Sequence, residues 1–103
     1  MKCVRGVISA TTEELGKKIQ KVLLEKRLIA GSLITKGNSL HWWKEEIENQ
    51  DYYVVSMFTM DSKMEEITEV AKEILNEDCP VIFFYDILSM PKDLEEWVKS
   101  NVK

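Results

Sequence analysis

Ser39-Leu40-His41-Trp42-Trp43-Lys44-Glu45-Glu46-Ile47 is the stretch on which the reading of this chain turns. It carries two of the three tryptophans and the only histidine, with an apolar segment on each side. Side chains alternate between the two faces of an extended backbone, so adjacent tryptophans point opposite ways and the core of one monomer cannot bury both. The stretch is therefore the best candidate for a site or an interface.

Working outward, Leu28 to Thr35 is apolar, with small residues at Ala30, Gly31 and Ser32. Lys36-Gly37-Asn38 then suits a bulge or bend. Together these predict one long, bent strand from Ile29 to about Trp43. That exceeds the usual five or six residues, so part of it should overhang its own sheet. Lys44 to Gln50 is polar and is expected to return the chain as a loop, after which Tyr52 to Met60, rich in Tyr, Val and Phe, reads as the antiparallel partner.

The outer elements mirror one another. Met1 to Ser9 reads as a central strand covered on one face, in which Gly6 permits close packing. Thr12 can cap a helix whose first turn holds Glu13 and Glu14 and whose apolar stripe is Leu15, Ile19, Val22 and Leu23. Asp61-Ser62 is expected to cap a second helix, with Met64, Ile67, Val70, Ala71, Ile74 and Leu75 on its apolar side. Asn76 to Pro80 turns the chain. The nearly all-apolar run Val81 to Ile87 reads as a strand covered on both faces. Pro91 opens a short last helix docked by Leu94, Trp97 and Val98. The order strand, helix, strand, strand, helix, strand, helix predicts a single domain over residues 1–103. Its class is α+β, a split βαβ or ferredoxin-like sandwich with an extra C-terminal helix.

Composition narrows the partners. A net charge of −4 leaves nothing basic to neutralise a phosphate backbone, which argues against nucleic acid. No apolar run approaches the roughly 20 residues of a spanning helix, so no membrane partner is expected. Cys3 and Cys79, without a signal peptide pattern, read as reduced thiols in a cytoplasmic protein.

Chemistry is sparse. Borderline cations want several Cys or His ligands, and the chain offers Cys3, Cys79 and His41 without C-x-x-C or H-x-x-x-H spacing. Metal binding would fall to His41 with Cys79 or with the carboxylates Glu45, Glu46, Glu48 and Asp51. A single histidine nominates no Ser/His/Asp set, and no glycine-rich phosphate motif occurs, so no enzyme is expected. Trp42, Trp43 and Lys44 read either as an aromatic and cationic platform for an anionic ligand or as an oligomer interface, where tryptophan is enriched. The interface reading takes Leu40, Trp42 and Trp43.

With these elements placed, the chain resembles the CutA family of divalent-cation-tolerance proteins along almost its whole length. The resemblance rests on the order and spacing of Leu24-Glu25-Lys26-Arg27-Leu28-Ile29-Ala30, the Ser39 to Ile47 stretch, Pro80, and Asp93-Leu94-Glu95-Glu96-Trp97-Val98. It implies a ferredoxin-like subunit in a tight homotrimer, with the long second strand reaching a neighbour, much as in PII-like signalling proteins. It also implies an association with tolerance of copper and other divalent metals, the one cofactor suggested being such a cation. In that assembly a small ligand or ion would bind in inter-subunit clefts lined by Trp43, Lys44, Glu46 and Tyr85. The family usually carries a glycine where this chain has Glu45, and a His-Pro-Tyr where it has Leu75-Asn76-Glu77.

Overall fold

The computed structural model describes residues 1–103. Its strands are β1 (Cys3–Ala10), β2 (Gly31–Trp43), β3 (Glu46–Met60) and β4 (Ile82–Asp86), and its helices α1 (Glu13–Glu25), α2 (Met64–Leu75) and α3 (Lys92–Asn101). All strand pairs are antiparallel, in the order β2-β3-β1-β4. This is the ferredoxin-like arrangement expected, with β1 as a central strand.

Local chemistry sets the helix ends. The Thr12 hydroxyl accepts the Leu15 backbone N–H at 3.1 Å, as predicted for an N-cap. At the other end of α1, Arg27 is left-handed (φ 59), and Leu28 N–H donates to the Leu23 carbonyl at 3.0 Å, a Schellman closure made without glycine. The expected cap at Asp61-Ser62 is not made. Asp61 instead accepts the Lys2 N–H at 3.1 Å, and a short 3₁₀ turn, Asp61–Lys63, leads into α2.

The core lies between one face of the sheet and α1 and α2. Ile8, Val55 and Met57 of the sheet meet Ile19 and Leu23 of α1 and Ile67 and Ala71 of α2, all with essentially no exposure. A second, smaller cluster of Cys3, Met60 and Val98 sits on the opposite face, because Cys3 pairs with Met60 one residue out of phase with the main core. There α3 folds beneath the sheet, with Trp97 edge-on to Phe58 at 6.4 Å. Burial pushes the Cys3 thiol up, with Glu95 adding to it, so this cysteine is a packed core residue. The rest of that face is open, and Leu33, Phe83 and Tyr85 stand exposed on it.

Three further expectations are corrected. The pairing of β2 with β3 runs from Gly31↔Phe58 to Trp43↔Glu46 without a skipped residue, so there is no bulge at Gly37. The polar segment Lys44–Gln50 is not a loop: only Lys44 and Glu45 turn, and Glu46 onward is strand, because cross-strand partners outweigh low strand propensity. Finally, β4 is shorter than expected and covered on one face only, since no helix packs over Phe83 and Tyr85.

One consequence dominates the shape. β1 stops at Ala10↔Tyr53, so residues 37–43 and 46–52 form a two-stranded ribbon with no further neighbour. At about 3.3 Å per residue it projects roughly 20 Å. The molecule accordingly measures 44 Å along its long axis against 26 and 21 Å across.

The tight crossing of β1 with its neighbours is testable. A Cβ on Gly6 would lie 2.8 Å from the Phe84 ring and 3.0 Å from the Met57 side chain. Gly6→Ala is expected to cost about 1–3 kcal/mol by overpacking. Chemical denaturation measures it, and an unchanged midpoint would show that β4 is not seated this closely.

Candidate functional site

Alternation along the ribbon sorts its side chains into two sets. On the helix side lie Asn38, Leu40 and Trp42, paired with Asp51, Asn49 and Ile47. On the other side lie Ser39, His41 and Trp43, paired with Gln50, Glu48 and Glu46. The two adjacent tryptophans therefore face opposite ways, as the sequence implied. The helix-side set is held by polar contacts near its base, where the Asn38 amide donates to Asp51 and to Asn49 at 2.8 Å each. Beyond them Leu40, Trp42 and Ile47 are 69%, 72% and 64% exposed, an apolar strip with nothing against it.

The tip is a two-residue turn in which Lys44 (φ 50) and Glu45 (φ 66) are both left-handed. Such a turn matches the twist of a hairpin, but it favours Asn and Gly. Each ordinary residue held there costs on the order of 1 kcal/mol. The turn places the Lys44 ammonium 5.7 Å from the centre of the Trp43 ring. Trp43, Lys44 and Glu46 are thus together at the tip.

A cleft of about 540 Å³ opens on the other side, between the base of the ribbon and the segment linking α2 to β4. His41, Tyr52 and Glu48 face it from the ribbon, and Glu77 and Cys79 from the linking segment. His41 Nδ1 lies 2.8 Å from the Ser39 hydroxyl, and its Nε2 lies 3.5 Å from a Glu48 carboxylate oxygen, an ion pair when the ring is protonated. The His41 and Tyr52 rings are 6.0 Å apart. Although Glu77 as a residue is exposed, its carboxyl is partly withdrawn from water, which raises its pKa from the ordinary carboxylate value. Burial raises the Tyr52 phenol, and the charges of Glu77 and Glu48 raise it further.

The structure brings some of the expected residues together and separates others. His41 and Cys79 line one cleft, yet no group of three or more His, Cys, Asp or Glu side chains in the chain is arranged to hold a metal ion. Tyr85 pairs with Arg5, toward the far end of the sheet from the ribbon, and does not meet Trp43, Lys44 or Glu46 in the same chain. Leu40 and Trp42 occupy the opposite face from Trp43. Sequence reasoning passed over Tyr52, Glu77 and Asp78. Extending the hairpin register from Trp43 would have found Tyr52, two positions along the His41 face. Glu77 and Asp78 approach only through the tertiary fold and leave no local signal.

No helix of the chain is long and apolar enough to cross a membrane. Residues 5–101 match the model of the family described as CutA1 divalent ion tolerance protein. The chain is 28% identical over 85 residues to the divalent-cation tolerance protein CutA of Thermococcus kodakarensis, covering 82% of each. It is also 28% identical over 96 residues to that of Archaeoglobus fulgidus, covering 93% of this chain and 94% of the relative. The solved structure of the Archaeoglobus fulgidus protein, described as periplasmic, superposes with a TM-score of 0.94 at 27% identity over 98% of this chain and 99% of that one. A match over nearly the whole chain, in sequence and in fold, means that this protein belongs to the CutA1 divalent ion tolerance family.

Proposed function

We propose that the protein is a non-catalytic homotrimer that binds a small ligand or ion in clefts between subunits, in a divalent-cation tolerance role. One observation carries this reading: the ribbon presents large apolar side chains on both faces and reaches beyond the chain's own sheet. An isolated two-stranded ribbon is marginal in water, and contiguous exposed apolar surface of this kind marks a protein contact. Burying each of Leu40, Trp42 and Ile47 against a neighbour is worth about 1.5–3 kcal/mol. The open sheet face with Leu33, Phe83 and Tyr85 is a second surface that assembly would cover. The family resemblance supplies the number three. It also gives a role to the separation of Tyr85 from the ribbon tip, since the tip of one subunit can reach the Tyr85 face of another. The free cysteines, Cys79 exposed among them, accord with a reducing compartment such as the cytoplasm.

Replacing both tryptophans tests the assembly role. Trp42→Ala with Trp43→Ala should dissociate the oligomer at micromolar concentration and lower its thermal midpoint by at least 10 °C, on the order of several kcal/mol of lost burial per subunit. Light scattering and calorimetry report the two effects, and an intact, equally stable oligomer would remove the pair from the interface.

Direct metal binding through His41, with Cys79 or Glu48, is a second reading, favoured by the common cleft of these side chains. Calorimetric titration with copper(II), zinc and calcium measures it. Saturable copper(II) binding lost in His41→Ala and in Cys79→Ser would establish this reading, and no heat at millimolar metal would end it.

A further inference from the structure

The sheet face turned away from α1 and α2 carries few charges, and their placement is directional. Among the strand residues on that face only Arg5, His41, Glu48 and Glu46 are charged, or can become so, near neutral pH. His41 and Glu48 are already neighbours, with the ring Nε2 3.5 Å from a carboxylate oxygen. Arg5 and Glu46 enter none of the ion pairs of the chain. These two unpaired charges are of opposite sign and stand at opposite ends of the face. Arg5 lies across from residue 58 of β3, while Glu46 begins that strand, which puts them roughly 40 Å apart at about 3.3 Å per residue. They cannot meet within one chain.

Each end has a local environment suited to a contact between copies. Arg5 is half-buried, its guanidinium carbon lies 4.2 Å from the centre of the Phe58 ring, and it is the register partner of Tyr85. It is the one cation in the aromatic part of the face. A neighbour that covered this part without an acceptor would strand a desolvated charge, so the covering chain must bring a carboxylate. The ribbon tip can do so. It projects roughly 20 Å, enough to cross the roughly 14 Å between the outer strands of a neighbouring four-stranded sheet. At the tip, Glu46 is exposed and holds the last ladder position, opposite Trp43, so its direction is fixed by the strand. Lys44 and Glu45 lie in the turn, where their charges offset one another.

We propose that Arg5 of each copy binds the Glu46 carboxylate on the ribbon tip of the next copy, an ion pair made only on assembly. The proposal rests on the reading of the ribbon as completed by neighbouring copies, and it names the side chains that orient one copy on another. A planar guanidinium restrained against a ring presents its N–H groups in the fork that a carboxylate fits, which adds geometric selectivity to attraction. A cation at one end of a face and an anion at the other are complementary head to tail, the relation that closes into a ring and not into a two-fold dimer.

Charge reversal in the full chain tests the pair. Light scattering over a dilution series, in a fixed concentration of urea that brings wild-type dissociation into range, reads the protein concentration of half-dissociation. Arg5→Glu and Glu46→Arg should each raise it at least about tenfold, and the two together should return it to within about threefold of wild type. Arg5→Glu with Glu45→Arg should show no such recovery. If a reversal fails to fold by circular dichroism, Arg5→Gln, Glu46→Gln and their combination take its place. The combination should then cost no more than the larger single effect, since both changes remove one contact. Unchanged half-dissociation in the single variants, no recovery in the double reversal, recovery through Glu45, or fully additive neutral effects would each overturn the pair while the assembly reading stands. A wild-type chain that is monomeric without urea would overturn the assembly reading and the pair with it.

Discussion

The pairing of β2 with β3 in unbroken register is the constraint on which the rest of the structure depends. Had a bulge interrupted it at Gly37, the β2 side chains beyond it would have changed face, and His41 would have pointed toward the helices. Continuous pairing instead carries two fixed faces past the end of β1. The helix-side face ends in Leu40, Trp42 and Ile47, and the other face holds His41, Tyr52 and Glu48 over the cleft.

This geometry explains why the ribbon carries a cost in isolation. Its tip turn holds two ordinary residues in the left-handed region, at Lys44 and Glu45, where Asn and Gly are favoured. Its apolar side chains stand in water in a single subunit. Such a ribbon persists where a neighbour supplies the missing burial, and the several kcal/mol available from three large side chains exceed the cost of the turn. The acidic cleft is a separate matter: Glu77 and Asp78 arrive from the connection between α2 and β4, so that ribbon and connection must both be in place before it exists.

Much of the fold was legible because hydrophobic periodicity and turn chemistry agreed. The stripes of α1 and α2, the Thr12 cap and the over-long second strand all appear as the residues imply. The failures share a cause, since each depended on a partner distant in sequence. Glu46 to Gln50 reads as a polar loop until Trp43, His41 and their neighbours are set opposite it. Val81 to Ile87 reads as doubly buried, yet only one face of β4 meets a helix, because α3 docks instead over Cys3 and Met60. At the site, Trp43, Lys44 and Glu46 follow from the hairpin alone. Glu77 and Asp78 do not, and Tyr85 joins the tip only through another subunit in the proposed assembly.

The central claim is that the ribbon is completed by neighbouring copies of the same chain. Light scattering coupled to size-exclusion chromatography, at micromolar protein in moderate salt, tests it most directly. Three copies of a 12.0 kDa chain predict a mass of about 36 kDa that persists on dilution. A species of 12.0 kDa under those conditions would contradict the account.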